Sequence, residues 1–155
     1  MEEYGSGTST MPAGTAQAAG TLLDTLNMLR ARELAVITQY MRHHYQITTA
    51  EGLAMADEFK DIAITEMKHA EMLGERIDFL GGDPTTQPSE IGRDARTLEQ
   101  MASMDLASEN DAVRLYRDAV KQADSEGDVT TRRMLESILG DEENHVNRFQ
   151  MMLGR

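Results

Sequence analysis

Residues 66–82 read EMKHAEMLGERIDFLGG and residues 138–146 read ILGDEENHV, so an E-x-x-H occurs twice, as Glu66/His69 and Glu142/His145. A further Glu stands 33 residues before each motif, Glu33 in RARELAVITQY (residues 30–40) and Glu109 in DLASENDAV (residues 105–113). Two antiparallel helices bring residues 33 and 66 to one height only if their turn falls near residue 49 or 50. The sequence there is Ile47-Thr48-Thr49-Ala50-Glu51-Gly52, a break in which Thr48 and Glu51 form a helix-start signal. Glu109 and Glu142 have their midpoint inside the polar, glycine-containing Asp124-Ser125-Glu126-Gly127-Asp128. Both halves of the chain therefore read as helical hairpins with a carboxylate midway along each arm.

Helical spacing places those carboxylates inside apolar stripes. The stripes read Leu22, Leu26, Leu29, Glu33, Val36, Tyr40; then Phe59, Ile62, Glu66, His69, Leu73, Ile77, Leu80. They continue as Ala102, Glu109, Val113, Tyr116, Val120 and as Leu135, Ile138, Glu142, His145, Phe149, Met152. Four ionised carboxylates at one level of a core are prohibitive unless cations join them, and two divalent metals balance the charge. One E-x-x-H alone is an ordinary surface pair on a charged helix. The doubled, stripe-embedded set is a two-metal ligand set: Glu33, Glu66, His69, Glu109, Glu142 and His145.

At 155 residues the chain is expected to be a single all-α domain, a four-helix bundle over residues 21–153 behind a flexible tail at 1–20. Helices are expected at about 21–47, 51–80, 97–124 and 128–153, the first opened by Thr21 with Asp24 three residues on. Residues 81–96, GGDPTTQPSEIGRDAR, hold two of the three prolines. At roughly 3.3 Å per residue they reach about 53 Å, enough to run back along a helix of about 40 Å. The second and third helices are thus expected to be parallel, joined by one long crossover.

A net charge of -12, from 27 acidic and 15 basic residues, argues against nucleic-acid binding through a basic face. The absence of cysteine removes thiolate metal sites, iron–sulfur clusters and disulfides. It is compatible with the cytoplasmic location expected here. Residues 1–19 lack Lys, Arg and an apolar run, so they do not read as a signal peptide, and no stretch approaches the roughly 20 apolar residues of a membrane span.

The four quoted stretches resemble the bacterioferritins over about residues 21–153, in the order and spacing of all six ligands. Ferritin-like di-iron bundles share the single-crossover layout. The resemblance implies a ferroxidase that oxidises Fe(II) with dioxygen or peroxide for iron storage and detoxification. Glu33 and His69 would hold one iron, Glu109 and His145 the other, and Glu66 and Glu142 would bridge. Carboxylate and imidazole donors suit iron or manganese. Tyr40, on the Glu33 stripe, is expected near the centre as an electron or hydrogen-bond donor, or else as an ordinary core tyrosine.

The resemblance further implies that Met67, about 100° around the helix from Glu66, ligates haem b between the halves of a two-fold dimer. Leu34, Ile37, Thr38 and Met41 would line its groove. His43 and His44 are expected at the solvent-facing or interface side, without a ligand role. The fourth helix is followed directly by the end of the sequence at Arg155, so the fifth helix of bacterioferritins is expected to be missing and a closed cage is not assured. The alternatives are a di-iron oxidase or peroxide scavenger without a storage cage, and a non-enzymatic haem- or metal-binding protein.

Overall fold

A computed structural model describes residues 20–50 and 52–155; the expected tail, apart from Gly20, lies outside the described residues. Among the described residues there are four helices and no strand: α1 (Leu22–Gln46), α2 (Leu53–Phe79), α3 (Leu98–Ser125) and α4 (Val129–Met152). None of them is long and apolar enough to cross a membrane.

The helix starts follow local chemistry. Thr21 accepts from the Asp24 amide while the Asp24 carboxylate accepts from the Thr21 amide, a reciprocal cap that Thr97 and Gln100 repeat on α3. Asp128 caps α4 by accepting from the Thr131 amide. The start of α2 departs from expectation. Glu51 lies outside the described residues, and the helix begins at Leu53 behind Gly52, whose amide donates to Thr49 Oγ1 at 3.1 Å.

The stripes on α1, α2 and α4 face inward, with Leu80 and Met152 only partly buried at their ends. On α3 the buried line is Ala102, Asp105, Glu109, Ala112, Tyr116, Ala119 and Ala123, leaving Val113 and Val120 half-buried. Small side chains on this line let α3 lie close to α1 while the valines cover the flank. The resulting core has two apolar lobes: Leu26, Leu29, Leu73, Ile77, Leu135 and Ile138 at one end, and Val36, Tyr40, Phe59, Ile62 and Phe149 at the other. The level between them is where the carboxylates sit.

Residues 80–97 cross from α2 to α3 pressed along α1. Asn27 Nδ2 donates to Asp83 O, Thr85 N donates to Asn27 Oδ1, Arg30 Nε donates to Thr85 O, Ser89 N donates to Ala31 O and Arg42 donates to Arg93 O, all within 3.1 Å. Contacts advance along α1 as the crossover advances, so α3 starts beside the end of α1 and runs parallel to α2.

Antiparallel α1 and α3 are joined by polar pairs. Thr25 bonds Gln122 at 2.6 Å, Gln39 Nε2 donates to Asp105 Oδ1 at 2.7 Å, and His43 Nδ1 lies 2.7 Å from Asp105 Oδ2. His43 is therefore fully buried rather than solvent-facing, because Asp105, also fully buried, draws it inward. His44 is half-buried with Nδ1 at 2.7 Å from Ala56 O. Asp105 is the shared partner of Gln39 and His43, and removing it leaves their buried polar atoms unsatisfied, at a cost of about 1–3 kcal/mol. Asp105→Ala should lower unfolding free energy by that amount in denaturant titration, whereas Asp111→Ala, whose pair with Arg114 is exposed on both sides, should leave the midpoint unchanged.

Candidate metal centre

All six residues singled out from the sequence converge between the two lobes. Glu33, Glu66, Glu109 and Glu142 are completely buried, and His69 and His145 nearly so. Their donor atoms form two overlapping groups, Glu33/Glu66/His69/Glu142 and Glu66/Glu109/Glu142/His145, within each of which one donor atom per residue lies within 4.8 Å of the others. Glu66 and Glu142, one from each hairpin, belong to both groups.

Both imidazoles turn Nδ1 toward the carboxylates. His69 Nδ1 lies 2.8 Å from Glu66 Oε2 and 3.1 Å from Glu142 Oε1. His145 Nδ1 lies 2.9 Å from Glu66 Oε1, with Glu109 and Glu142 oxygens at 3.7 and 3.8 Å. A single Nδ1–H cannot serve every oxygen around it. Glu66 Oε1, Glu109 Oε2, both Glu142 oxygens and His145 Nδ1 are buried without a hydrogen-bond partner of good geometry. Such atoms are costly in a core unless something else satisfies them. Their chemistry, oxygen and imidazole nitrogen with no soft donor, fits a pair of divalent ions.

The remaining oxygens are held by the protein. Tyr40 donates to Glu109 Oε1 and Tyr116 donates to Glu33 Oε1, each tyrosine serving the Glu of the opposite helix. Burial, then the nearby carboxylates, raise both phenols well above their ordinary range, so both remain donors. Tyr40 is thus hydrogen-bonded to a carboxylate of the candidate centre; Tyr116 was missed, although it follows Glu109 by seven residues just as Tyr40 follows Glu33. His69 Nε2 lies 3.1 Å from Asp141 Oδ2, a contact that favours a proton on Nε2 and directs Nδ1 inward. Arg32, also unforeseen, places Nη1 at 3.3 Å from Glu33 Oε2 and donates from Nη2 to Ser108 O at 2.7 Å.

With no cation bound, protons must balance the site. Burial opposes charge on each imidazole, but the close glutamate oxygens outweigh it and push His69 up to about 11 and His145 up to about 12. Burial and then neighbouring carboxylates raise Glu33 well above the usual range and Glu109 to about 7. Burial and then a neighbouring carboxylate oppose the charge of Glu66 and Glu142 too, yet the imidazoles close to Glu66, and Glu109 with the imidazoles close to Glu142, hold both below the ordinary carboxylate range.

A ferritin-like domain model matches residues 23–155. The bacterioferritin of Desulfovibrio desulfuricans is 34% identical over 129 residues, covering 83% of this chain and 72% of the relative. That of Rhodobacter capsulatus is 39% identical over 131 residues, covering 81% and 78%. The chain belongs to the bacterioferritin family. Solved bacterioferritins superpose on it closely. The D. desulfuricans structure, which captures a diiron site in different catalytic states, gives a TM-score of 0.82 at 33% identity over 86% of this chain and 78% of that one. The R. capsulatus structure, with a metal-free dinuclear site and haem iron on a crystallographic special position, gives 0.80 at 34% identity over 86% and 83%.

Met67 lies on the outer face and is 53% exposed. Leu34 and Ile37 line a groove beside it with Arg30, Ala70 and Glu71. The other two residues expected there lie elsewhere: Thr38 borders a cavity under the crossover, and Met41 packs against the Tyr40–Phe59 lobe.

Because Nδ1 must be free to bind a metal, both imidazoles must give up protons. Loading two divalent ions at pH 7 should release at least two protons per chain, read by calorimetry in buffers of different ionisation enthalpy. Affinity should fall as pH is lowered, and binding without proton release would contradict this charge balance.

Proposed function

We propose that the chain is a ferroxidase of bacterioferritin type, taking Fe(II) in pairs as substrate and oxidising it with dioxygen or peroxide for storage and detoxification. The observation that carries this reading is the pair of donor groups sharing Glu66 and Glu142, with five of their buried donor atoms lacking a hydrogen bond of good geometry. Glu33 and His69 hold one ion, Glu109 and His145 the other, and the shared carboxylates join them. Each Fe(II) supplies one electron, so two ions reduce dioxygen to peroxide, or peroxide to water, without releasing a one-electron product.

The chain's own groups prepare this exchange. Tyr40 occupies one oxygen of Glu109 and leaves the second without a partner, whereas Tyr116 occupies one oxygen of Glu33 and Arg32 lies 3.3 Å from the other. Asp141 keeps His69 in the tautomer that presents Nδ1. The enclosing lobes, with Phe59 and Phe149 fully buried, keep bulk water from the pair.

Haem binding belongs to the same proposal. Met67 with Leu34 and Ile37 offers a thioether above an apolar groove, and a second copy related by a two-fold axis would complete the ligation. Storage requires an assembly large enough to enclose mineral, whereas oxidation requires only the bundle.

Aerobic Fe(II) oxidation, followed by ferric absorbance, should fall at least about tenfold toward the uncatalysed rate in Glu33→Ala and His145→Ala. Equal rates in wild type and variants would refute the ferroxidase reading. A dimer-sized particle in solution would remove storage while leaving oxidation. Met67→Leu should abolish the haem absorption band while leaving iron oxidation intact; an unaltered band would exclude Met67 as the ligand.

A further inference from the structure

Arg32 has a role that the pairing of carboxylates and metals does not require. Its side chain is 11% exposed, and its guanidinium is divided between the Glu33 carboxylate and the Ser108 carbonyl. It stands at the edge of a cavity of about 310 Å³ between α1, α3 and the crossover, alongside Gln39 and Ser108. A guanidinium keeps its charge at any workable pH, so this is a permanent positive charge next to a cation site.

We propose that Arg32 is a fixed counter-charge that weakens cation retention, making the centre a place iron passes through rather than occupies permanently. The proposal rests on the ferroxidase reading and adds to it the fate of the oxidised ions. Two divalent ions already neutralise Glu33, Glu66, Glu109 and Glu142, so among the buried groups Arg32 adds one positive charge in excess, the Asp141 carboxylate beside His69 being more than half exposed and screened by water. Oxidation of both ions adds two more once the reduced oxygen has taken up protons and left, and the repulsion grows with ionic charge in a medium less polarisable than water. Once the ions depart, the same guanidinium remains as a partner for Glu33, which lowers the cost of the unloaded carboxylates. Both effects favour release. The position of Arg32 also sets a positive charge between the cavity and Glu33, so a cation entering from that side is opposed.

Arg32 also ties α1 to α3 through Ser108 O, and two substitutions separate that role from its charge. Arg32→Gln removes the charge and keeps a donor; Arg32→Lys keeps the charge and loses the fork. Titration of the full chain with Co(II) at pH 7 should show pair binding about tenfold tighter or more in Arg32→Gln, and within about threefold of wild type in Arg32→Lys. After oxidation of two Fe(II) per chain and passage over a desalting column with chelator, Arg32→Gln should retain more ferric iron than wild type. Unchanged or weaker Co(II) binding in a folded Arg32→Gln would overturn the proposal. So would a tenfold change in Arg32→Lys, which serves as the test if Arg32→Gln does not fold. A wild type that takes up no Co(II) would remove the metal centre itself, and this proposal with it; unaltered Arg32→Gln beside a pair-binding wild type removes the Arg32 proposal alone.

Discussion

Four carboxylates buried at one height must be matched by positive charge, and much of this molecule is arranged around that demand. Imidazolium protons at His69 and His145, the guanidinium of Arg32 and phenolic donors from Tyr40 and Tyr116 each answer part of it. None answers all of it, since atoms of Glu66, Glu109 and Glu142 stay unpartnered. An apolar residue at any of these places would pack more cheaply. The polar layer therefore costs stability that the two lobes above and below it must offset.

The two halves of the bundle supply equivalent parts. Each hairpin contributes one Glu, one E-x-x-H and one tyrosine seven residues beyond the first Glu, and each tyrosine crosses to the other half's carboxylate. This reciprocity ties α1 to α3 at the level of the site. Gln39, His43 and Asp105 extend the linkage along the same seam, so the separation of Glu33 from Glu109 is fixed by neighbours that never touch the metal positions.

Helix count, topology and the convergence of the six donors were legible because each depends on short-range periodicity or on the distance from a turn. The two intervals of 33 residues encode equal heights only because the hairpin breaks fall midway. What was not legible depends on partners far along the chain. His43 reads as a helix-end histidine until Asp105, 62 residues away, comes beside it. Arg32 reads as a surface charge until Ser108 O and Glu33 enclose its fork. On α3, helical spacing put Val113 and Val120 in the stripe, but the close approach to α1 buries Ala112 and Ala119 instead. Tyr116 was overlooked despite having the same seven-residue offset as Tyr40.

The crossover lies along α1 held by main-chain and side-chain bonds from Asn27, Ala31, Arg30 and Arg42. An unattached segment of that reach could deliver the second hairpin to a neighbouring copy, exchanging halves between molecules. Each bond that fastens it raises the toll on such a swap and shortens the effective tether between the hairpins. The strap thereby favours completing both ion positions from one polypeptide, whatever larger assembly the copies build.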